Sequence, residues 1–158
     1  MLPEEVTKYI GQGGDVRIFE VEKGAIRKFA DAINDRNPLY WDEEYARKSR
    51  YGAMVAPPGF FGWPTKWTGG SVFTSEATRE LSDTLRKLGY GRGLAGGVEC
   101  EFFQPIRAGD TLTATTVIKN IVEREGRTGK MVFIIRETTY TNQDDDLVAK
   151  ERRIFIQR

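Results

Sequence analysis

The order of residue patterns along this chain predicts an α+β fold: one strand, a run of helices, then four strands joined by short turns. Three observations carry that prediction. Ile26, Phe29, Ala30 and Ile33 recur at helical spacing, and so do Ala77, Leu81, Leu85 and Leu88. From Val98 to Gln157 the chain turns to Thr-, Val- and Ile-rich runs broken by Pro/Gly/Asp clusters. Helices followed by an antiparallel meander argue for helices packed on one face of a single sheet. The edges of such a sheet are expected to be covered or paired with a second subunit.

Taken in order, residues 1–15 lack periodicity and end in GQGGD, which reads as a flexible entry, and Val16–Val21 reads as the first strand. Lys23–Ile33 follows as a helix that stops near Asn34, because Asn favours helix C-termini and Pro38 cannot continue the helix. Asp42 is placed to cap a second short helix, EEYARKS, which Tyr51-Gly52 ends. Ala56-Pro57-Pro58 is expected to start a third, buried helix through GFFGW, since proline is tolerated in a first helical turn. Lys66–Phe73 reads as a Gly-rich loop, and Thr74 or Ser75 can cap a helix to Leu88 that Gly89 terminates. The strands 98–104, 111–123, 130–141 and 147–157 are separated by PIRAGD, EGRTG and NQDDD turns.

Composition excludes more than it selects. A chain of 158 residues fits one domain over 1–158. Its 24 basic and 23 acidic residues leave a net charge of +1, which offers no general attraction to nucleic acid or anionic lipid. The mean hydropathy is negative and no apolar run has spanning length, so no membrane association is expected. The first ten residues resemble neither a signal nor a transit peptide, which makes the cytoplasm the expected location. Cys100 is the sole cysteine and, within a strand, is expected to be a small buried thiol. Histidine is absent, which removes the commonest general base, the Ser–His and Cys–His systems, and the commonest zinc ligand. Chemistry in this chain falls to carboxylates, Tyr, Lys or backbone amides.

Polar, aromatic and turn-forming residues concentrate in 30–61. Its segment AINDRNPLYWD resembles the G-D-x-N-P-x-H-x-D signature of the MaoC-like R-specific enoyl-thioester hydratases and dehydratases, which have the hotdog fold. The resemblance continues through YGAMVAPP and GGVECEFFQPIRAGDTL in the family's order. It is strongest towards the branch described as the N-terminal half of MaoC dehydratases. It implies a single hotdog domain, an antiparallel sheet wrapped around a central helix, with an extra helix inserted after it. It also implies an acyl-CoA or acyl carrier protein thioester as substrate, no cofactor and no metal. The expected assembly is a homodimer, or a heterodimer or heterotetramer with another MaoC-like chain.

Carried over by position, the signature Asp is Asp35, the Asn-Pro is Asn37-Pro38, and the His position is occupied by Tyr40. Asp35, Asn37 and Tyr40 are therefore the catalytic positions, and Pro57, Pro58, Gly59, Gly96 and Gly97 the substrate-binding ones. The amide that the family aims at the thioester carbonyl falls near Pro58, which has no N–H, although Gly59 or a one-residue offset can supply one. Tyr with an ordinary pKa of about 10 is a poor base at neutral pH. Three readings follow: a degenerate subunit working with a catalytic partner chain, an active homodimer using Asp35 and Tyr40, or a non-catalytic acyl-CoA binding or scaffolding module. Each residue also has a plainer reading. Asn, Asp and Pro make turns, Tyr40, Trp41, Trp63 and Trp67 fill cores or interfaces, and Arg47, Lys48 and Arg50 form a solvated face rather than a CoA-phosphate contact. The Ser75–Leu88 helix is either a packing element or a wall of an acyl channel.

Overall fold

A computed structural model describes residues 2–65, 75–127 and 129–158. The elements run α1 (Glu4–Thr7), β1 (Gly13–Glu20), α2 (Lys23–Ala32), a 3₁₀ turn (Pro38–Tyr40), α3 (Glu43–Lys48), β2 (Trp63–Pro64), α4 (Glu76–Lys87), β3 (Gly93–Phe102), β4 (Thr111–Gly126), β5 (Gly129–Thr141) and β6 (Leu147–Gln157). The strands form one antiparallel sheet in the order β2-β1-β4-β5-β6-β3, the α+β arrangement expected. Register shifts at Gly13/Asp15, Ile118/Asn120 and Ala95/Gly97 bend the long strands, which is how a sheet acquires strong curl.

All helices that contribute to the core pack on one face of this sheet, in two clusters. The first joins α2 (Ala25, Ile26, Ala30) to Phe19, Leu112, Ala114, Tyr140 and Ala149, with Met54, Phe60 and Phe61 laid over them. The second joins Leu81 and Leu85 of α4 to Val6 and Tyr9 and to Ile118, Ile121, Val132 and Ile134. Between them lies a polar belt formed by Thr116, Thr138, Arg136, Glu151 and Arg153. Buried inward positions on β5 alternate strictly from Val132 to Tyr140, so the belt interrupts one continuous face.

Five sequence expectations need correction. The chain start is not merely a flexible entry: α1 puts Val6 (fully buried) and Tyr9 against α4. Ile33 lies outside the buried stripe and is half exposed, because it is the C-cap, after which Asn34 turns at φ 54°. Residues 57–62 are not helical. The Phe60 N–H donates to the Pro57 carbonyl (3.1 Å) to close a turn, and Gly59 and Gly62 sit at φ 92° and 89°. A Cβ on Gly62 would lie 2.5 Å from the Glu20 carbonyl, so the segment runs as an irregular turn close against β1 and leads into β2 at Trp63. The strand expected from Val98 starts at Gly93, placing Gly96 and Gly97 inside β3. Cys100 is exposed on β3 rather than buried, because β3 is the edge of the sheet.

Trp67, the loop Lys66–Phe73 and Thr74 lie outside the described residues. Ser75 caps α4 as expected, its hydroxyl accepting from the Thr78 N–H at 3.2 Å.

Candidate active site

The signature run folds as a relay of side-chain-to-backbone hydrogen bonds. The Asp35 N–H donates to the Ala30 carbonyl (2.8 Å), which closes α2 after the left-handed Asn34. Asp35 Oδ1 accepts from the Asn37 N–H at 3.0 Å, and Asn37 Oδ1 accepts from the Leu39 N–H at 3.1 Å. The two Asx turns set up the 3₁₀ turn that carries Tyr40, with Pro38 in its first position. Trp41 Nε1 donates to the Asp35 carbonyl at 2.9 Å, and Arg36 stacks 5.2 Å from the Trp41 ring centre while bonding Asp31 at 3.0 Å. Asp42 then caps α3 through the Glu44 and Tyr45 N–H groups. Turn chemistry therefore accounts for a contact at each of Asp35, Asn37 and Asp42.

Tyr40 points inward from this turn and is 8% exposed. Burial is the largest influence pushing its hydroxyl above the ordinary tyrosine range, with the charges of Asp35 and then Tyr51 adding to it. The 53–57 strip is held opposite by the 104–108 turn: Ala56 N–H donates to the Ile106 carbonyl (2.8 Å), Ala108 N–H to that of Met54 (2.8 Å), and Arg107 Nε to that of Tyr51 (3.1 Å). Between strip, turn and β3 lies a cleft of about 450 Å³ whose lining includes Asn37, Tyr40, Tyr51, Pro58, Phe102 and Phe103. Its wall is largely aromatic and apolar, suited to an acyl chain or a flat apolar group.

The structure thus gathers some of the expected positions and separates others. Asn37, Tyr40, Pro57 and Pro58 share this cleft. Asp35 lies behind Tyr40 and does not line it, although its charge reaches the Tyr40 hydroxyl. Gly59 is exposed outside it. Gly96 is a packing position at the β3 bulge, where an added Cβ would meet Ile154 at 3.0 Å, and Gly97 is exposed beside it. Sequence reasoning missed Tyr51, Phe102 and Phe103 as lining residues; the turn clusters flanking them were visible, but not that these meet across the chain. Arg50 also lines the cleft and holds the Tyr51 hydroxyl at 2.6 Å, whereas Lys48 pairs with Glu44 at the surface.

The arrangement has consequences for chemistry. The phenol is able to donate a hydrogen bond and stays protonated at neutral pH, and neither Pro57 nor Pro58 has an amide hydrogen to aim at a carbonyl. No described group of three or more His, Cys, Asp or Glu is arranged to hold a metal, and no described helix is long and apolar enough to cross a membrane.

Comparison with known proteins places this geometry in a class. One chain of the ChsH1-ChsH2 complex of Mycobacterium tuberculosis superposes with a TM-score of 0.79 at 22% identity, over 90% of this chain and 86% of that one. The HadBC complex of M. tuberculosis, a 3R-hydroxyacyl-ACP dehydratase, matches with a TM-score of 0.68 at 26% identity, over 96% of this chain and 98% of that one. The fold is therefore the hotdog of the MaoC-like (R)-hydratases.

Residues 8–151 match the family described as FAS1-like, dehydratase domain region, and the chain belongs to this MaoC-like dehydratase family. A UPF0336 protein of Streptomyces avermitilis is 35% identical over 108 residues, 68% of this chain and 67% of its own length. A probable enoyl-CoA hydratase alpha subunit of Thermomonospora curvata is 30% identical over 132 residues, 80% of this chain but 41% of its own length.

Proposed function

We propose that this chain is an acyl-thioester-binding hotdog subunit whose own catalytic site is degenerate. It works beside a second MaoC-like chain carrying an intact Asp–His pair, and the two act as an R-specific enoyl-CoA hydratase or 3-hydroxyacyl dehydratase. The observation that carries this reading is Tyr40. Hydration of an enoyl thioester requires a group that takes a proton from water as the oxygen attacks, and a donor that returns one to carbon. A buried phenol whose pKa is raised cannot be that base at neutral pH. In this reading the Tyr40 hydroxyl donates to the thioester, Asp35 and Asn37 hold the turn that aims it, and no metal or cofactor is required.

The β3 edge supports the partner. All ten of its residues are exposed in the single chain, and Leu94, Val98, Phe102 and the adjoining Phe103 present apolar side chains there. An open apolar edge strand of this length is a template for pairing with another chain. The ChsH1-ChsH2 and HadBC matches both come from heteromeric complexes.

The test is hydration of crotonyl-CoA and of a longer enoyl-CoA by the purified chain, repeated after co-expression with a MaoC-like chain that has Asp and His. The expected outcome is activity only in the pair. Activity of the chain alone that disappears in Asp35→Ala would replace this reading with an active homodimer. Thioester binding with no turnover in either setting would make the chain a binding module. Within an active pair, Tyr40→His is expected to raise the rate by at most the roughly 10²–10⁴-fold typical of one positioned acid–base group.

A further inference from the structure

Along its 55–58 wall the Tyr40 cleft has no backbone N–H to spare. The Val55 N–H donates to the Leu39 carbonyl and the Ala56 N–H to that of Ile106, while Pro57 and Pro58 have none. A carbonyl bound there must be held by side chains. The Tyr40 hydroxyl has no hydrogen-bond partner among the described residues, although the residue is buried and lines the cleft. A buried phenol ordinarily finds such a partner, so this one is left for a ligand.

Tyr51 lines the same cleft and is fixed at three points. Its N–H donates to Ser49 Oγ at 3.2 Å, its carbonyl accepts from Arg107 Nε at 3.1 Å, and its hydroxyl accepts from Arg50 Nη2 at 2.6 Å. The Arg50 guanidinium also lies 4.8 Å from the centre of the Tyr51 ring. Arg50 is the one charged residue in the lining, and it forms no ion pair among the described residues. A cation on the phenolic oxygen occupies one lone pair and leaves the proton free to be donated elsewhere. It also polarises the O–H bond, which makes the phenol a stronger donor. The charge of Tyr51 is felt at the Tyr40 hydroxyl, which marks the two phenols as neighbours. Asn37 and Gln104 are the remaining polar side chains of a wall that is otherwise apolar.

We infer that Tyr40 and Tyr51 together form the carbonyl-binding site of this cleft. Their hydroxyls take the thioester oxygen in place of the amide that Pro57 and Pro58 lack, and Arg50 is the positioning residue for Tyr51. The inference rests on the acyl-thioester reading proposed above and adds the second donor to it. A carbonyl oxygen has two lone pairs, one for each phenol. Donors fixed in advance stabilise charge drawn onto that oxygen without themselves giving up a proton. The chain thus binds and polarises the thioester, and the acid–base steps stay with the partner chain.

The purified full chain mixed with 2,4-hexadienoyl-CoA tests this. Absorption by the conjugated carbonyl moves to longer wavelength when donors draw charge onto its oxygen, so a red shift is expected on binding. Tyr51→Phe keeps the ring and its packing, and is expected to remove much of the shift and weaken binding about three- to tenfold. Tyr40→Phe is expected to do the same. Arg50→Met is expected to cause a smaller loss of the shift, and Arg50→Lys to restore part of it, a rescue that a purely structural role would not give. Binding with no red shift, or a Tyr51→Phe chain with the wild-type shift and affinity, overturns the inference while leaving thioester binding in place. Absence of binding overturns both the inference and the thioester reading.

Discussion

The signature turn and the polar belt are both dense in charge, and they use it in opposite ways. Around Tyr40 the carboxylates and amides of Asp35, Asn37 and Asp42 bond backbone N–H groups at or near the surface, and the ion pairs are solvated. In the belt Arg136 and Glu151 are 5% and 4% exposed, between two apolar clusters. The first region has a motif legible in the sequence, with Tyr40 at the position where the resembled signature has His. The second has no motif, yet buries charges that are costly unless something compensates them. Resemblance to a signature therefore points to the Tyr40 turn, while burial singles out charges that the signature does not describe.

The largest effect expected from this contrast is in the belt. Glu151→Leu removes a buried carboxylate that Arg153 holds by two hydrogen bonds, and should cost about 3–5 kcal/mol in urea-induced unfolding. The double variant Glu151→Leu/Arg153→Met should recover much of that loss. A Glu151→Leu cost below about 1 kcal/mol would mean that the belt is hydrated, and the contrast with the turn would fall.

Next come the two apolar clusters on either side of the belt. Leu85→Ala in α4 and Ile26→Ala in α2 each remove a fully buried side chain and should cost about 2–5 kcal/mol. If the belt divides the core into separable units, Leu85→Ala produces a second unfolding transition by circular dichroism. If one sheet couples both clusters, each variant shifts a single transition.

Alkaline pH compares the regions through their tyrosines. Burial raises the pKa of Tyr140, stacked on Phe61 at 4.1 Å, and more weakly that of Tyr40. Each keeps its proton in the folded chain after the unfolded chain has lost its own. The associated stability is fully present below about pH 10 and is lost as pH rises through the folded values. Stability measured between about pH 8 and pH 11 should fall above pH 10. Tyr140→Phe should flatten the fall more than Tyr40→Phe.

Helix caps give a smaller effect. Asp42→Ala removes the acceptor for two N–H groups of α3 and should cost about 1 kcal/mol, and Ser75→Ala a similar amount at α4. Cap loss at α4 should also loosen the packing of Leu81 and Leu85, which hydrogen exchange of residues 76–88 would detect.

Much of this was legible because the responsible residues act locally. Helical spacing marks α2 and α4, the NDRNP run marks its own turn, and PIRAGD and NQDDD mark the strand ends. What was not legible depends on contacts distant in sequence. The non-helical course of residues 57–62 goes with the close approach of Gly62 to Glu20, which no local pattern reveals. The RET of β5 and KERR of β6 read as surface charge until strand pairing brings Arg136, Glu151 and Arg153 together on the inner face. Likewise Tyr51 and Phe102 line one cleft only because the 53–57 strip bonds to the 104–108 turn.

The smallest effect is the most direct check on how charge is used at the signature. Asp31 and Arg36 bond at 3.0 Å with side chains 62% and 63% exposed, and Arg36 also stacks on Trp41. An exposed pair of this kind contributes roughly 0–1 kcal/mol, so Asp31→Asn should shift stability by less than about 0.5 kcal/mol and salt should leave it unchanged. Arg36→Ala should cost slightly more, because it also removes the guanidinium from the Trp41 face. If Asp31→Asn instead costs as much as a cap, Asp31 helps hold the turn that aims Tyr40. The signature region would then resemble the belt, with its charges structural rather than solvated.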